Sequence, residues 1–289
     1  MKEIDEKEIS DELINILRCR KCDGDRFAIN GASVSCRECQ NIREISEDGI
    51  LLDRGLLEKD DAEEKDWELL KYESDTKQRY QETSYAKRYL NRYRKLRRPA
   101  DVYHWFIARR ERLVTKNLIG PIASSLDLVL DVPAGTGKLA EVHRNFNYSV
   151  LASDVSAGML SVGRTHWREG GGGFLGMFQG DITDLCLRND VVDCSICLRL
   201  MHRLPIGVLK RGIRELARVS RKYVLVSNGV GGWSLAKLGN RVMPLKHPDE
   251  LMSLNAWHEI LKEIGTIEGE EYVARGISKE VVTLVKVHS

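Results

Sequence analysis

The sequence has no run of about 18 apolar residues, so it offers no membrane-spanning helix. Proline is scarce, with six in 289 residues, and no Pro-rich or otherwise low-complexity tract stands out. The first residues, MKEIDEKEISDELI, are acidic and lack the apolar centre of a signal peptide. Seven cysteines in a chain of this length do not suit a secreted disulfide scaffold, so a reducing, cytoplasmic location is expected. There is no internal repeat. What is present is an ordinary apolar content of 42% and a mildly negative mean hydropathy. These suit a soluble protein with a sizeable core and about two domains.

The stretch Leu126–Val142, LDLVLDVPAGTGKLAEV, organises the rest. An apolar run ends in Asp131, a Pro-Ala-Gly-Thr-Gly turn follows, and a helical pattern begins at Lys138. Continuous apolar character marks a buried parallel strand. Gly135 and Gly137 permit positive φ and close approach of backbone to a ligand. Strand, glycine turn and helix open a nucleotide-type α/β domain, with the ligand above the carboxyl end of the strand. The turn has neither GxGxxG spacing nor a GxxxxGK[ST] phosphate loop. Alone, AGTG would also suit an ordinary tight turn.

Three further strands end in informative residues. Tyr148–Ala152 runs into Ser153-Asp154, and Asp154 stands where an acidic residue can accept both ribose hydroxyls of a nucleoside. Ser156 is then a helix N-cap. Phe174–Gln179 runs into Gly180-Asp181-Ile182, and Val191–Cys197 into LRLMHRLP.

DVPAGTG, DVSAGML, GDI and DVVDCSICLRLMHRLP, in this order, resemble the successive motifs of the class I S-adenosylmethionine (SAM) methyltransferases, type 11 branch. Pro133 replaces the first glycine of the family's commoner [DE]-x-G-x-G-x-G. The resemblance implies a Rossmann-like, seven-stranded α/β sheet closed by two antiparallel strands, here Ile267–Ala274 and Val281–Val287. It also implies SAM as cofactor, held by Asp131, Pro133, Ala134, Gly135, Gly137, Asp154, Val155, Met159, Asp181, Ile182 and Leu198. In the family, Asp181 faces the exocyclic amine of adenine. The segment Ser84–Tyr89 resembles the YA-x-x-Y lid that precedes many such domains, which implies that Tyr85 and Tyr89 touch cofactor or acceptor; tyrosines that merely pack the helices are the alternative.

A second pattern stands near the start. Cys19-x-x-Cys22 and Cys36-x-x-Cys39 flank two short strands, Arg26–Asn30 and Ala32–Ser35, around Asn30-Gly31. Four thiolates can close a tetrahedral Zn²⁺ shell, and the hairpin between them makes a zinc ribbon. A closed four-Cys shell points to a structural ion. Buried or redox-active cysteines are the alternative reading.

The expected organisation is a zinc ribbon over 1–55, a helical linker and lid over 56–120, and a SAM-binding domain over 121–289. Residues 3–17 suggest an amphipathic helix, and residues 56–76 a charged, helical linker. Residues 1–76 carry 22 Asp/Glu against 12 Lys/Arg, and residues 77–116 carry 13 Lys/Arg against 3 Asp/Glu. The basic segment is a solvated helix face, a partner for the acidic segment, or a site for phosphate on RNA or on a phosphorylated small molecule.

Methyl transfer needs a positioned nucleophile and, for a hydroxyl acceptor, a general base. His202, after the fourth strand, is the candidate base; a pocket-shaping role is the alternative. No N/D-P-P-Y/F follows that strand, which disfavours the branches that methylate adenine N6 or glutamine amides. The expected activity is methyl transfer to O or N of a small-molecule or carrier-linked acceptor. An rRNA or tRNA base methyltransferase is the alternative, since the ribbon-plus-domain layout is similar to that of the 23S rRNA guanine-N1 methyltransferases. A non-catalytic SAM-binding scaffold is the third reading.

Overall fold

The computed structural model describes residues 9–53, 72, 81, 83–94, 99–169, 173–231 and 251–288. Of the charged linker expected over 56–76 all but Tyr72 lies outside the described residues, as do residues 170–172 and 232–250.

A short helix, α1 (Asp11–Asn15), starts at Ser10, whose side chain accepts from the Leu13 N–H. Strands β1 (Phe27–Ile29), β2 (Ser33–Cys36) and β3 (Ile42–Glu44) form a small antiparallel sheet. After β3 the chain turns at Ser46–Gly49, where Gly49 has φ +69°. The chain resumes as β4 (Ile50–Leu51). Helices α2 (Thr83–Arg94) and α3 (Pro99–Ile119) follow, with Pro99 opening the second.

The main domain alternates β5 (Leu128–Asp131), α4 (Ala140–His143), β6 (Ser149–Asp154), α5 (Ala157–Arg168), β7 (Phe174–Gln179), β8 (Val192–Cys197), α6 (Ile206–Val219) and β9 (Ser220–Gly229). It closes with α7 (Leu254–Lys262), β10 (Gly265–Tyr272) and β11 (Glu280–Val287). The helix expected from Lys138 therefore begins two residues later. The strand order is β10-β11-β9-β8-β5-β6-β7-β4. β9, β8, β5, β6 and β7 pair in parallel, and β11 pairs antiparallel with both β9 and β10.

The large sheet has the seven expected strands and an eighth. Ile50 and Leu51, at the end of the cysteine module, pair in parallel with Met177 and Phe178. Leu13, Leu17 and Val34 of the N-terminal region are fully buried in the same apolar cluster as Leu151, Phe178 and Leu187. Leu17 also bridges Leu187 through the backbone. Polar contacts follow the same seam: Asp184 accepts from the guanidiniums of Arg18 and Arg20, and Asp53 pairs with Arg20 and Arg43, each at 3.4 Å. No described helix is long and apolar enough to cross a membrane.

Candidate active site and metal centre

The first strands of the parallel sheet end around one cavity. Asp131 closes β5, and the turn that follows places Gly135 at φ +52° and Gly137 at φ +78°. Asp154 closes β6 and is tied on both sides: its Oδ2 accepts from the Gly135 N–H and its Oδ1 from the Ser156 N–H, both at 2.9 Å. Ser156 in turn caps α5 by accepting from the Met159 N–H. Burial pushes the Asp154 pKa up to about 6, against the pull of these two N–H donors. Asp131 is buried, which raises its pKa, and its carboxylate faces His143 Nε2 at 3.5 Å.

Asp131, Pro133, Ala134, Gly135, Asp154, Val155, Met159, Ile182 and Leu198, all expected near a cofactor, line this cavity. Gly137 does not. A Cβ there would stand 3.0 Å from the His166 Cβ and 3.3 Å from the Gly163 carbonyl, so its bareness lets the turn pack on α5. Asp181 also stays off the lining: its Oδ1 accepts from the Thr183 N–H and hydroxyl and from the Tyr72 hydroxyl. Tyr72 itself lines the cavity. Tyr89 reaches the lining and accepts from Lys138 Nζ at 2.8 Å, whereas Tyr85 stacks beside Tyr89, ring centroids 6.4 Å apart. His202 sits on the turn Met201–Arg203, exposed and outside the lining.

Sequence reasoning missed Tyr72, Glu111, Lys138, Arg199 and Arg203, which also line the cavity. Arg199 has φ +66°, a conformation unfavourable for a side-chain-bearing residue, and its guanidinium bonds Glu280 at 2.8 Å. Such strain clusters at functional sites. For Glu111 a signal existed: with Ile107 and Val114 it falls on the apolar face of α3 at helical spacing, and all three are buried.

The cavity fits an adenosyl cofactor on its own terms. It offers a tethered carboxylate, apolar walls at Val155 and Ile182, a glycine turn with positive φ, and charged groups of both signs.

The second site is the cysteine cluster. Cys19 Sγ lies 3.5 Å from Cys39 Sγ and Cys22 Sγ 3.6 Å from Cys36 Sγ, with all four within 4.8 Å of one another. A tetrahedral Zn–S shell at about 2.3 Å has S···S edges of about 3.8 Å, so the set fits Zn²⁺ with no position left open. No cysteine pair is disulfide-bonded.

Comparison with known proteins agrees. Residues 129–223 match the profile of the methyltransferase domain family. No curated protein matches the sequence. The fold is similar to magnesium protoporphyrin IX methyltransferase from Synechocystis PCC 6803. With SAH bound, the TM-score is 0.60 at 14% identity, over 74% of this chain and 99% of that one. With SAM bound, it is 0.53 at 13% identity, over 78% and 99%. A SAM-dependent methyltransferase from Methanosarcina mazei is 17% identical over 56% of this chain and 92% of its own, with a TM-score of 0.47. The parallel sheet with its antiparallel closing strands is thus a class I methyltransferase architecture. Residues 129–223 thus carry a match to the methyltransferase domain family, on a chain with an N-terminal four-cysteine module.

Proposed function

We propose that the chain transfers the methyl group of SAM to oxygen or nitrogen of a small-molecule or carrier-linked acceptor. One observation carries the acceptor class. Tyr89 of α2 and Glu111 of α3 line the cavity alongside the strand ends of the sheet. An acceptor must insert between helices that precede the sheet, which suits a small or tethered group better than a folded RNA. The ribbon supports the same reading: Arg18, Arg20 and Arg43 are spent on Asp184 and Asp53, inside the chain, rather than offered to phosphates.

SAM supplies a methyl on a sulfonium, open to in-line displacement, and the protein's task is positioning and exclusion of water. In this reading Asp154 accepts the ribose hydroxyls, Val155, Met159 and Ile182 flank the adenine, and Asp181 acts behind the lining by holding the Tyr72 hydroxyl. Pro133 and Ala134 with Gly135 form the turn under the methionine portion, and Leu198 floors the transfer site. Gly137 and Tyr85 act indirectly, by seating the turn and Tyr89. His202, carried on the turn between the lining residues Leu200 and Arg203, is the base for a hydroxyl acceptor. The zinc is structural.

The test is incubation with methyl-labelled SAM and, separately, pooled small metabolites, carrier-protein-bound acyl groups and total RNA. Label in the first two and not in RNA is expected; label in RNA alone overturns the acceptor class. Replacing His202 by Ala should remove turnover on a hydroxyl acceptor, and a loss of only severalfold would reduce it to a wall residue.

A further inference from the structure

Three carboxylates line the cavity: Glu111, Asp131 and Asp154. Asp154 is held by two backbone N–H groups, and Asp131 faces His143. Glu111 differs. Its side chain is buried at 4% exposure, it faces the cavity, and among the described residues no hydrogen bond or ion pair engages its carboxylate. Burial raises its pKa and nearby Glu280 raises it further, while Lys138 and Arg199 pull it back. A buried carboxyl without a partner is costly unless something meets it.

What meets it follows from position. The charged neighbours of Glu111 are Glu280, Lys138, Arg199 and Arg112, whereas Asp154 is surrounded by Gly135, Ser156 and Asp131. Glu111 therefore belongs to the end of the cavity away from the ribose carboxylate. A cofactor whose adenosine lies at Asp154 and Ile182 extends its methionine portion along the Gly135 turn toward Glu111. That portion carries one ammonium and one carboxylate. The Glu111 end carries one unengaged carboxylate beside the cations of Lys138 and Arg199, a charge arrangement complementary to that zwitterion.

We propose that Glu111 of α3, outside every motif of the sheet, is the anionic partner of the methionine ammonium of SAM. This rests on the cofactor reading given above. Glu111 is then a cofactor-selecting residue, one that separates amino-acid-bearing adenosyl thioethers from those lacking the amino-acid portion.

Calorimetric titration of the full-length zinc-loaded protein with two probes tests this. One is S-adenosylhomocysteine; the other is 5′-methylthioadenosine, which keeps the adenosine and thioether but has neither ammonium nor carboxylate. In Glu111→Gln, affinity for S-adenosylhomocysteine should fall at least tenfold, with affinity for methylthioadenosine kept within about twofold. Equal losses for both probes in a variant with native circular dichroism would make Glu111 a shape element and overturn the assignment, as would no loss for either. If the Gln variant does not fold, Glu111→Asp, which keeps the charge but withdraws it by one methylene, is read by the same pair of probes. Wild type that binds methylthioadenosine but not S-adenosylhomocysteine also overturns the assignment. Wild type that binds neither removes the cofactor reading itself.

Discussion

Leu17→Ala should weaken the methyltransferase sheet, although Leu17 lies two residues before the first zinc-ligating cysteine. Its side chain is fully buried against the main core, and its backbone bridges Leu187. Truncating a buried leucine costs about 3 kcal/mol once transfer and cavity contributions are combined. A chain of this size unfolds in urea with a slope of about 3 kcal/mol per molar or more, so the midpoint should fall by up to about 1 M. The assay follows one urea titration with two signals: far-UV circular dichroism for the sheet and helices, and a colorimetric chelator for released zinc. Both transitions should coincide in the wild type and move together in the variant, because Leu13, Leu17 and Val34 belong to the same buried cluster as Leu151 and Phe178. If zinc release shifts while the dichroism transition stays in place, the module is an independent unit and the reasoning is refuted.

Other outcomes are equally specific. Asp154 titrates near 6, is protonated below that and ionised above, so affinity for S-adenosylhomocysteine should hold at pH 7–8 and decline as the pH falls through 6; a flat profile from pH 8 to 5 would sink the ribose assignment. Asp154→Ala should cost more than tenfold in the same titration at pH 7.5. Zinc removal by a strong chelator, or Cys36→Ser, should lower the thermal midpoint of the whole chain, checked by calorimetry with and without added Zn²⁺. Gly163→Ala should cost about 1–3 kcal/mol and weaken cofactor binding, because the new Cβ would stand 2.9–3.0 Å from the backbone of Gly135 and Thr136, atoms that cannot swing aside.

The parallel sheet was legible because its strands are apolar runs, and those of β5, β6 and β7 end at a carboxylate or a glycine, features that local sequence sets. Phe174–Gln179 has in the structure the bounds its apolar run predicts. The eighth strand was not legible. Ile50-Leu51 is two residues long, and nothing local says that its partner is Met177-Phe178. Glu111 was masked by its neighbours: Arg109-Arg110-Glu111-Arg112 reads as solvated charge unless the helical spacing of Glu111 from Ile107 and Val114, all buried, is weighed against it. Tyr72 stood in a charged linker with no periodicity to give it a side. Gly137 and Gly163 were legible as glycines, but their mutual packing is a property of the turn resting on α5.

The pairing of Ile50 with Met177 also bears on how the protein is made. The cysteine cluster closes within residues 19–39 and can bind its ion while the chain is still emerging from the ribosome. The strand it must dock against is 127 residues further on. At 5–20 residues per second that is roughly 6–25 s of translation, during which Leu13, Leu17 and Val34 have no cover. The metal keeps a short, sticky module in shape through that wait, and docking then covers the edge of β7 that would otherwise invite another chain. A form shortened to begin at residue 121 would lose both the module and that cover, and should come off the ribosome as aggregate.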